Sequence, residues 1–124
     1  MEMEFVPKFK FENLHIWQKA MDFGEDVLSI SSLFPALEIY NLSSQIRRAG
    51  DSVALNISEG SILQSGLEFR KFLGYSIRSL AEVVTCLHKA KRRKYIDQHQ
   101  FEKLYAESFH LMNMMISFRS KIKT

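Results

Sequence analysis

Apolar residues recur with helical spacing in four segments of the chain, and short polar or proline-containing stretches separate these segments. The first segment predicts a helix from about Asn13 to Ser32. It ends before Pro35, because the residue that precedes a proline disfavours helical backbone. The second segment predicts a helix that begins at Asn41 as N-cap and stops near Gly60, since glycine commonly follows the last helical residue.

The third and fourth segments begin with capping boxes. Ser65 is followed three residues later by Glu68, and Asp97 is followed in the same way by Gln100. The third helix is predicted to run to about Arg93, and the fourth continues almost to the C-terminus. Four helices with short connections favour an all-α fold, an antiparallel up-and-down four-helix bundle. Residues 1–12 precede it as an extended arm, and residues 13–124 form the bundle domain.

Winding the segments at about 100° per residue places their apolar residues in stripes that predict the core. The stripe of the second helix contains Leu42, Ile46, Ala49, Val53 and Ile57. That of the third contains Phe69, Phe72, Leu73, Leu80, Val83, Val84 and Leu87. That of the fourth contains Phe101, Leu104, Tyr105, Met112, Met115 and Ile122.

The first helix has a wider apolar surface than a helix on the outside of a bundle needs. Its predicted inner stripe contains Leu14, Trp17, Met21 and Leu28. A second group, which includes Ile16, Phe23, Val27 and Ile30, extends the apolar arc to about half of the circumference. Either this helix is wedged deeply between its neighbours, or the second group is an oligomer face that packs against another subunit.

A row of polar residues lies beside the apolar stripe of the second helix, at spacings of three and four. We call it the polar ladder, and its members are Gln45, Arg48, Ser52, Asn56 and Glu59. Apolar residues flank it on both sides, which predicts partial burial and partners on another helix or subunit. No nucleophile or base accompanies it, so a structural role is favoured over a catalytic one. Arg47 is predicted to face solvent.

Length and composition indicate a single globular domain. The chain has 124 residues, 46% of them hydrophobic and 25% charged, with a net charge of +3. No apolar run approaches the ~20 residues that cross a bilayer, and the acidic start does not resemble a secretory signal. One cysteine excludes an internal disulfide. We therefore expect a cytoplasmic protein without a membrane partner.

The chain lacks the residue patterns of the common catalytic and cofactor sites. Two Glu-x-x-His pairs, Glu12 with His15 and Glu107 with His110, are predicted to point away from the bundle centre, so we expect no metal site. Cys86 has no assignable histidine partner, and no phosphate-binding glycine loop is present. These observations predict a protein that is not an enzyme and takes no cofactor or small-molecule substrate.

A dense run of bases occupies the end of the third helix. We call it the basic cluster, and it contains Lys89, Lys91, Arg92, Arg93 and Lys94. Cations here complement the helix dipole, which is a sufficient structural explanation, but they also suit contact with nucleic-acid phosphates. Tyr95 is the aromatic residue next to the basic cluster that is available to stack on a base.

Three stretches carry a resemblance to a known family: "FENLHIWQKA" from Phe11, "IYNLSSQIRRAGDSVALNISEG" from Ile39, and "EFRKFLGYSIRSLAEV" from Glu68. They resemble the four-helix-bundle proteins encoded in intervening sequences of bacterial 23S ribosomal RNA. The Gln-x-x-Arg-Arg-Ala and Asn-Ile-x-Glu-Gly patterns are the specific part. The chain is also distantly similar to the accessory variability proteins of diversity-generating retroelements.

The resemblance implies a cytoplasmic homo-oligomer, with five bundles in a ring, and no known catalysis. Our first hypothesis is therefore a non-enzymatic homo-oligomer, most simply a pentamer, that binds RNA or DNA through basic surface. The second is a protein-interaction scaffold without direct nucleic-acid contact.

Overall fold

A computed structural model describes residues 4–62 and 65–124, and within these ranges the secondary structure is entirely helical. The four helices are α1 (His15–Ser31), α2 (Leu42–Ser61), α3 (Gly66–Arg92) and α4 (Gln98–Ser120). Two short 3-10 turns, Lys10–Asn13 and Ala36–Glu38, precede α1 and α2. The predicted all-α fold is confirmed, and the helix boundaries lie close to the predicted ones.

The helix starts are held by side chains, partly as predicted. At α4 the capping box is complete: the Gln100 amide donates to Asp97 Oδ1 at 2.8 Å, and the Asp97 amide donates to Gln100 Oε1 at 2.9 Å. At α3 the Ser65 hydroxyl accepts a 3.3 Å hydrogen bond from the Glu68 amide. Asn41 occupies the N-cap position of α2, as predicted, but its side chain caps no amide and instead donates to Glu38.

Each helix packs against the next one along the chain, and α4 also packs against α1, which closes the bundle. The buried Ser76 hydroxyl of α3 donates to the Val53 carbonyl of α2 at 2.7 Å. The rings of Phe69 in α3 and Phe118 in α4 meet edge to face at 5.7 Å. The helices therefore share one core, with contributions from all four.

The predicted core stripe of α2 is confirmed, since all five of its residues are buried. In α4 the prediction is partly wrong. Tyr105 is 43% exposed and Leu111, which the predicted stripe omitted, is buried. The buried residues of α4 are Phe101, Leu104, Ser108, Leu111 and Met115. The core therefore lies on one edge of the broad apolar arc of α4, and the other edge faces outward.

The orientation predicted for α1 is also wrong. Ile16, Phe23, Val27 and Ile30, the predicted oligomer face, are at most 8% exposed and belong to the core of the single chain. Met21 and Leu28 of the predicted inner stripe are instead 44% and 47% exposed. The physical reason is the close approach of α1 to α2, where Val27 packs directly on the backbone of Gly50.

Gly60 has a different role from the predicted helix stop. α2 continues through it to Ser61, and Gly60 is buried. A Cβ atom at this position would lie 2.6 Å from Phe72 Cβ and 3.0 Å from Phe69 Cδ1 of α3. The glycine is therefore required by the close approach of α3 to the end of α2.

Candidate functional site

The basic cluster surrounds the C-terminal end of α3. Lys89, Lys91 and Arg92 lie in the last turn of the helix, where cations are favoured by its dipole. Lys94 follows the helix with a φ of 64°, and the Tyr95 amide donates to the Ala90 carbonyl at 2.9 Å. This is the Schellman arrangement, in which the left-handed residue is usually glycine.

Two members of the basic cluster already have partners within the chain. Arg93 Nη1 forms an ion pair with Glu38 Oε2 at 2.9 Å, and Lys91 Nζ lies 4.8 Å from the centre of the Phe101 ring. Lys89, Arg92 and Lys94 are exposed and form no ion pair with any described residue. These three cations are therefore the ones most available to an external anion.

Glu38 is the centre of a polar hub that joins both connections at this end of the bundle. It is only 3% exposed, and it accepts hydrogen bonds from Asn41 Nδ2 at 2.9 Å, the Leu42 amide at 3.4 Å, Arg93 Nη1 and the Tyr95 hydroxyl at 2.6 Å. The Tyr95 hydrogen bond is the main reason that the pKa of Glu38 is lowered, and it raises the pKa of Tyr95. Tyr95 is therefore committed to the hub rather than free to stack.

This hub does not show in the sequence pattern, because Glu38 and Arg93 are 55 positions apart. The sequence does contain one indication that Glu38 is buried and has partners. Glu38 is the only ionisable residue of the segment "FPALEI", and an isolated carboxylate among apolar residues of a short connection suggests a buried, partnered group.

Hydrogen bonds hold the middle of the polar ladder of α2. Asn56 Nδ2 donates to both the carbonyl and the hydroxyl of Ser52, each at 2.9 Å, and the Ser79 hydroxyl of α3 donates to Ser52 Oγ at 2.9 Å. Arg48 and Glu59 are exposed and make no side-chain hydrogen bond to a described residue, and Gln45 is half-buried. Among the described residues, the ladder therefore hydrogen-bonds to α3 through Ser52, and Asn56 supports Ser52 from within α2.

Arg47, which is predicted to face solvent, instead makes a contact between helices of the kind predicted for Arg48 of the polar ladder. Its Nε donates to Ser31 Oγ at 2.7 Å, and Ser31 in turn donates to the Leu28 carbonyl at 2.7 Å. Arg47 therefore holds the end of α1 against α2. The prediction placed this residue on the wrong side of the helix, because winding at a fixed angle leaves the direction of a long side chain open.

A pair of carboxyl groups lies between α1 and α4. Glu107 is half-buried and lies close to Asp26. Burial, reinforced by Asp26 and by the charge of Asp22, raises the pKa of Glu107 to about 7, while Lys103 opposes the shift. A shallow pocket of about 240 Å³ beside this pair is lined by Ser29, Leu33 and Leu104, among others.

The described residues offer little metal or thiol chemistry. No group of three His, Cys, Asp or Glu side chains in residues 4–62 and 65–124 is arranged to hold a metal ion. Cys86 is 1% exposed, and burial raises the pKa of its thiol, which makes the thiolate scarce. Within the same ranges, none of the helices combines the length and apolar character needed to cross a membrane.

The outer side of α4 carries an apolar stripe that is largely exposed. We call it the α4 stripe, and it consists of Tyr105, Phe109 and Ile116, which are exposed, and Met112, which is half-buried. Phe109 is 64% exposed and Ile116 is 49% exposed. With Ala81 and Val84 of α3, part of the stripe lines an apolar groove of about 230 Å³. Exposed apolar patches of this kind mark contact surfaces.

A second groove lies between α1 and α2, and we call it the α1–α2 groove. Its volume is about 420 Å³, and small residues form its floor, including Gly24, Gly50 and Ala54. Met21 and Leu55 lie along it, and its charged lining residues are Glu25 and Asp51. Because α1 and α2 are one side of the bundle and α3 and α4 are the other, this groove lies opposite the α4 stripe.

Comparison with known families gives one match that covers most of the chain. The model of the family described as 23S rRNA-intervening sequence protein matches residues 12–117. No protein with a curated description matches the chain.

Among solved structures, the chain is similar to a protein of unknown function from the S23 ribosomal protein family of Bacteroides thetaiotaomicron VPI-5482. The two share 23% sequence identity over 84% of this chain and 97% of that chain, with a TM-score of 0.75. This likeness concerns the fold.

Proposed function

The chain belongs to the 23S rRNA-intervening sequence protein family, and on that basis we propose that it is a non-enzymatic, homo-oligomeric bundle that binds RNA or DNA. Its helices would form an antiparallel up-and-down bundle, and several bundles, most simply five, would close into a ring. The observation that carries the binding function is the group of exposed, unpaired cations at the end of α3: Lys89, Arg92 and Lys94.

One subunit carries little net charge, so binding to nucleic acid depends on cations contributed by several subunits. The net charge is +3, and two cations of the basic cluster are engaged inside the chain. In a ring, the three free cations recur once per subunit around one rim. Simultaneous neutralisation of several phosphates multiplies the affinity and steepens its dependence on salt. Binding of this kind is carried by phosphates and tolerates many sequences.

The α4 stripe is our candidate for one half of the contact between subunits, in place of the buried residues of α1. A closed ring needs two different surfaces on each subunit, because each subunit contacts its neighbours head to tail. The α1–α2 groove supplies the second surface. It lies on the opposite side of the bundle, has small residues in its lining, and carries the carboxylates of Glu25 and Asp51.

The assembly is tested by two matched substitutions and light scattering. Phe109→Asp changes an exposed residue and should leave a folded subunit near 14.5 kDa instead of a ring. Phe23→Asp changes a residue with 0% exposure and should unfold the chain. If the unmodified protein is monomeric at micromolar concentration, the ring is refuted, because stable interfaces bury enough surface to persist there.

Nucleic-acid binding is tested by titration of single- and double-stranded RNA and DNA at low and moderate salt. The variant Lys89→Gln with Arg92→Gln should weaken every complex and reduce the slope of log affinity against log salt. The matched control is Lys19→Gln with Lys103→Gln, which removes the same charge from exposed positions elsewhere. Equal weakening by both pairs, or no binding at about 50 mM salt, would reject the basic cluster as the site.

The alternative function, a protein-interaction scaffold, is favoured by one observation. The α4 stripe is large and aromatic, as are the central residues of protein interfaces. Under this alternative the purified protein would carry no excess absorbance at 260 nm, and Phe109→Asp would abolish capture of a partner without changing the subunit number. Sequencing of nucleic acid that co-purifies from native cells separates the two functions most directly.

A further inference from the structure

The segment that precedes α1 holds Phe9 as an anchored aromatic platform. One side of the Phe9 ring stacks on Phe11, with centroids 5.7 Å apart and an interplanar angle of 29°. Phe11 meets Trp17 of α1 edge to face at 5.2 Å. Phe9 nevertheless remains 63% exposed. The three rings therefore connect a solvent-exposed aromatic face to the body of the bundle.

The backbone of the segment fixes the platform as well. The Phe9 amide donates to Glu12 Oε1 at 2.9 Å, and the Glu12 amide donates to the Phe9 carbonyl at 3.1 Å. Gln18 Nε2 of α1 then donates to the Glu12 carbonyl at 2.9 Å. Little conformational freedom remains for Phe9 to lose when a ligand stacks on it, which favours binding.

Unpaired cations flank this platform. Lys8 and Lys10 are exposed, and neither forms an ion pair or a side-chain hydrogen bond with a described residue. Lys10 also lines a groove of about 720 Å³ together with Ile122, so the exposed Lys121 and Lys123 lie at the same end of the bundle. Glu12, two residues after Lys10, accepts a hydrogen bond from the Phe9 amide.

An exposed aromatic face between two free cations matches single-stranded nucleic acid, which presents an unpaired base beside a phosphate. A purely apolar partner would cover Phe9 but would leave Lys8 and Lys10 against a surface with no anion. The basic cluster at the other end of the bundle lacks this combination, because Tyr95 and Arg93 are committed to Glu38.

We propose that this end of the bundle is a second binding site, at which a base of single-stranded RNA or DNA stacks on Phe9 while Lys8 and Lys10 contact the adjacent phosphates. The site is separate from the basic cluster and goes beyond the function proposed above. It gives the protein a preference for unpaired strands, which phosphate contacts at the α3 rim do not supply.

The test is a fluorescence-anisotropy titration of labelled strands of about 20 nucleotides at ~100 mM salt. The probes are a single strand, its duplex, and an abasic strand that keeps the phosphates. Phe9→Leu preserves apolar area but removes the stacking face, and it should weaken single-strand binding about tenfold, within the range expected for one stacked base. Duplex and abasic binding should not change, and Phe9→Trp should restore single-strand binding.

The control is Phe5→Leu, the same change at a phenylalanine that is 79% exposed, which should bind as the unmodified protein does. The site is refuted if Phe9→Leu binds the single strand normally, or if the abasic strand binds as tightly as the intact one. A lower mass of Phe9→Leu in light scattering would refute it too, because Phe9 would then be a contact between copies. The pair Lys89→Gln with Arg92→Gln weakens duplex and single strand alike, so failure of one site is distinguishable from failure of the other.

Discussion

Replacement of Gly60 by alanine tests the close approach between α2 and α3. The added Cβ would lie 2.6 Å from Phe72 Cβ and 3.0 Å from Phe69 Cδ1. Phe72 Cβ is fixed to the backbone of α3, so a change of side-chain rotamer cannot relieve the clash. Instead α3 must move away from α2, and this movement loosens the contacts around it, including the Ser76 to Val53 hydrogen bond.

The magnitude follows from two opposing terms. Overpacking of a well-packed contact costs about 1–3 kcal/mol. Alanine in place of glycine recovers at most about 1 kcal/mol of helix propensity, and less at the end of a helix. The free energy of unfolding should therefore fall by about 1–2 kcal/mol, and the Tm by several degrees, since one kcal/mol moves the Tm of a domain near this size by roughly 4 °C.

Gly74 provides the matched control, because the same substitution there should act in the opposite direction. Gly74 lies inside α3, and a Cβ would meet only the Arg119 side chain at 3.9 Å. Gly74→Ala should stabilise the protein by about 0.5–1 kcal/mol. Urea denaturation followed by circular dichroism, at one fixed protein concentration, measures both variants. If Gly60→Ala is as stable as the unmodified protein, the packing argument for this glycine fails.

Three further substitutions test the electrostatics and backbone of the described elements. Lys94→Gly should raise the free energy of unfolding by about 0.5–1 kcal/mol, because glycine adopts the left-handed backbone at φ 64° without strain, and an unchanged denaturation midpoint would contradict this. Glu107 has a pKa near 7 in the fold and near 4.5 when unfolded, so its protonated form stabilises the protein below pH 4.5 and this contribution is lost as the pH rises to about 7. Glu107→Gln should flatten the stability profile between these values, and a profile identical to that of the unmodified protein would contradict the raised pKa. Glu38 has a lowered pKa in the fold, so its contribution to the free energy of unfolding is present above its unfolded pKa and is lost as the pH falls. Glu38→Gln should therefore lower the Tm at pH 7 and make the Tm less dependent on pH in the acid range. Thermal melts at pH 3 to 7 would show both effects.

The helices could be predicted from sequence because residues close together in the chain determine where each helix begins and which of its positions are apolar. The Asp97–Gln100 capping box and the α2 stripe are of this kind. The orientation of α1 could not be predicted, since a wide apolar arc fixes the axis of a helix but not which part of the arc faces the core. That choice depends on Gly50, where a small residue on another helix admits Val27.

The candidate sites were predictable only where one segment contains them. The basic cluster is contiguous and was found as a unit. The pairing that removes Arg93 from it was not, because the partner Glu38 lies in a distant connection. The α4 stripe was likewise hidden, since its residues and those of the core are both apolar and differ only in the direction they face.

Cys86 gives the protein a built-in reporter of global opening. It is the single cysteine of the chain, it is 1% exposed, and its thiol is held in the less reactive protonated form. A thiol reagent should therefore label the chain only when α3 separates from its neighbours, so the labelling rate measures how often the bundle opens. Cysteines introduced at the surface can carry cross-linkers or fluorophores while the buried Cys86 thiol remains unlabelled. The arrangement of subunits in a ring can then be measured without first replacing Cys86.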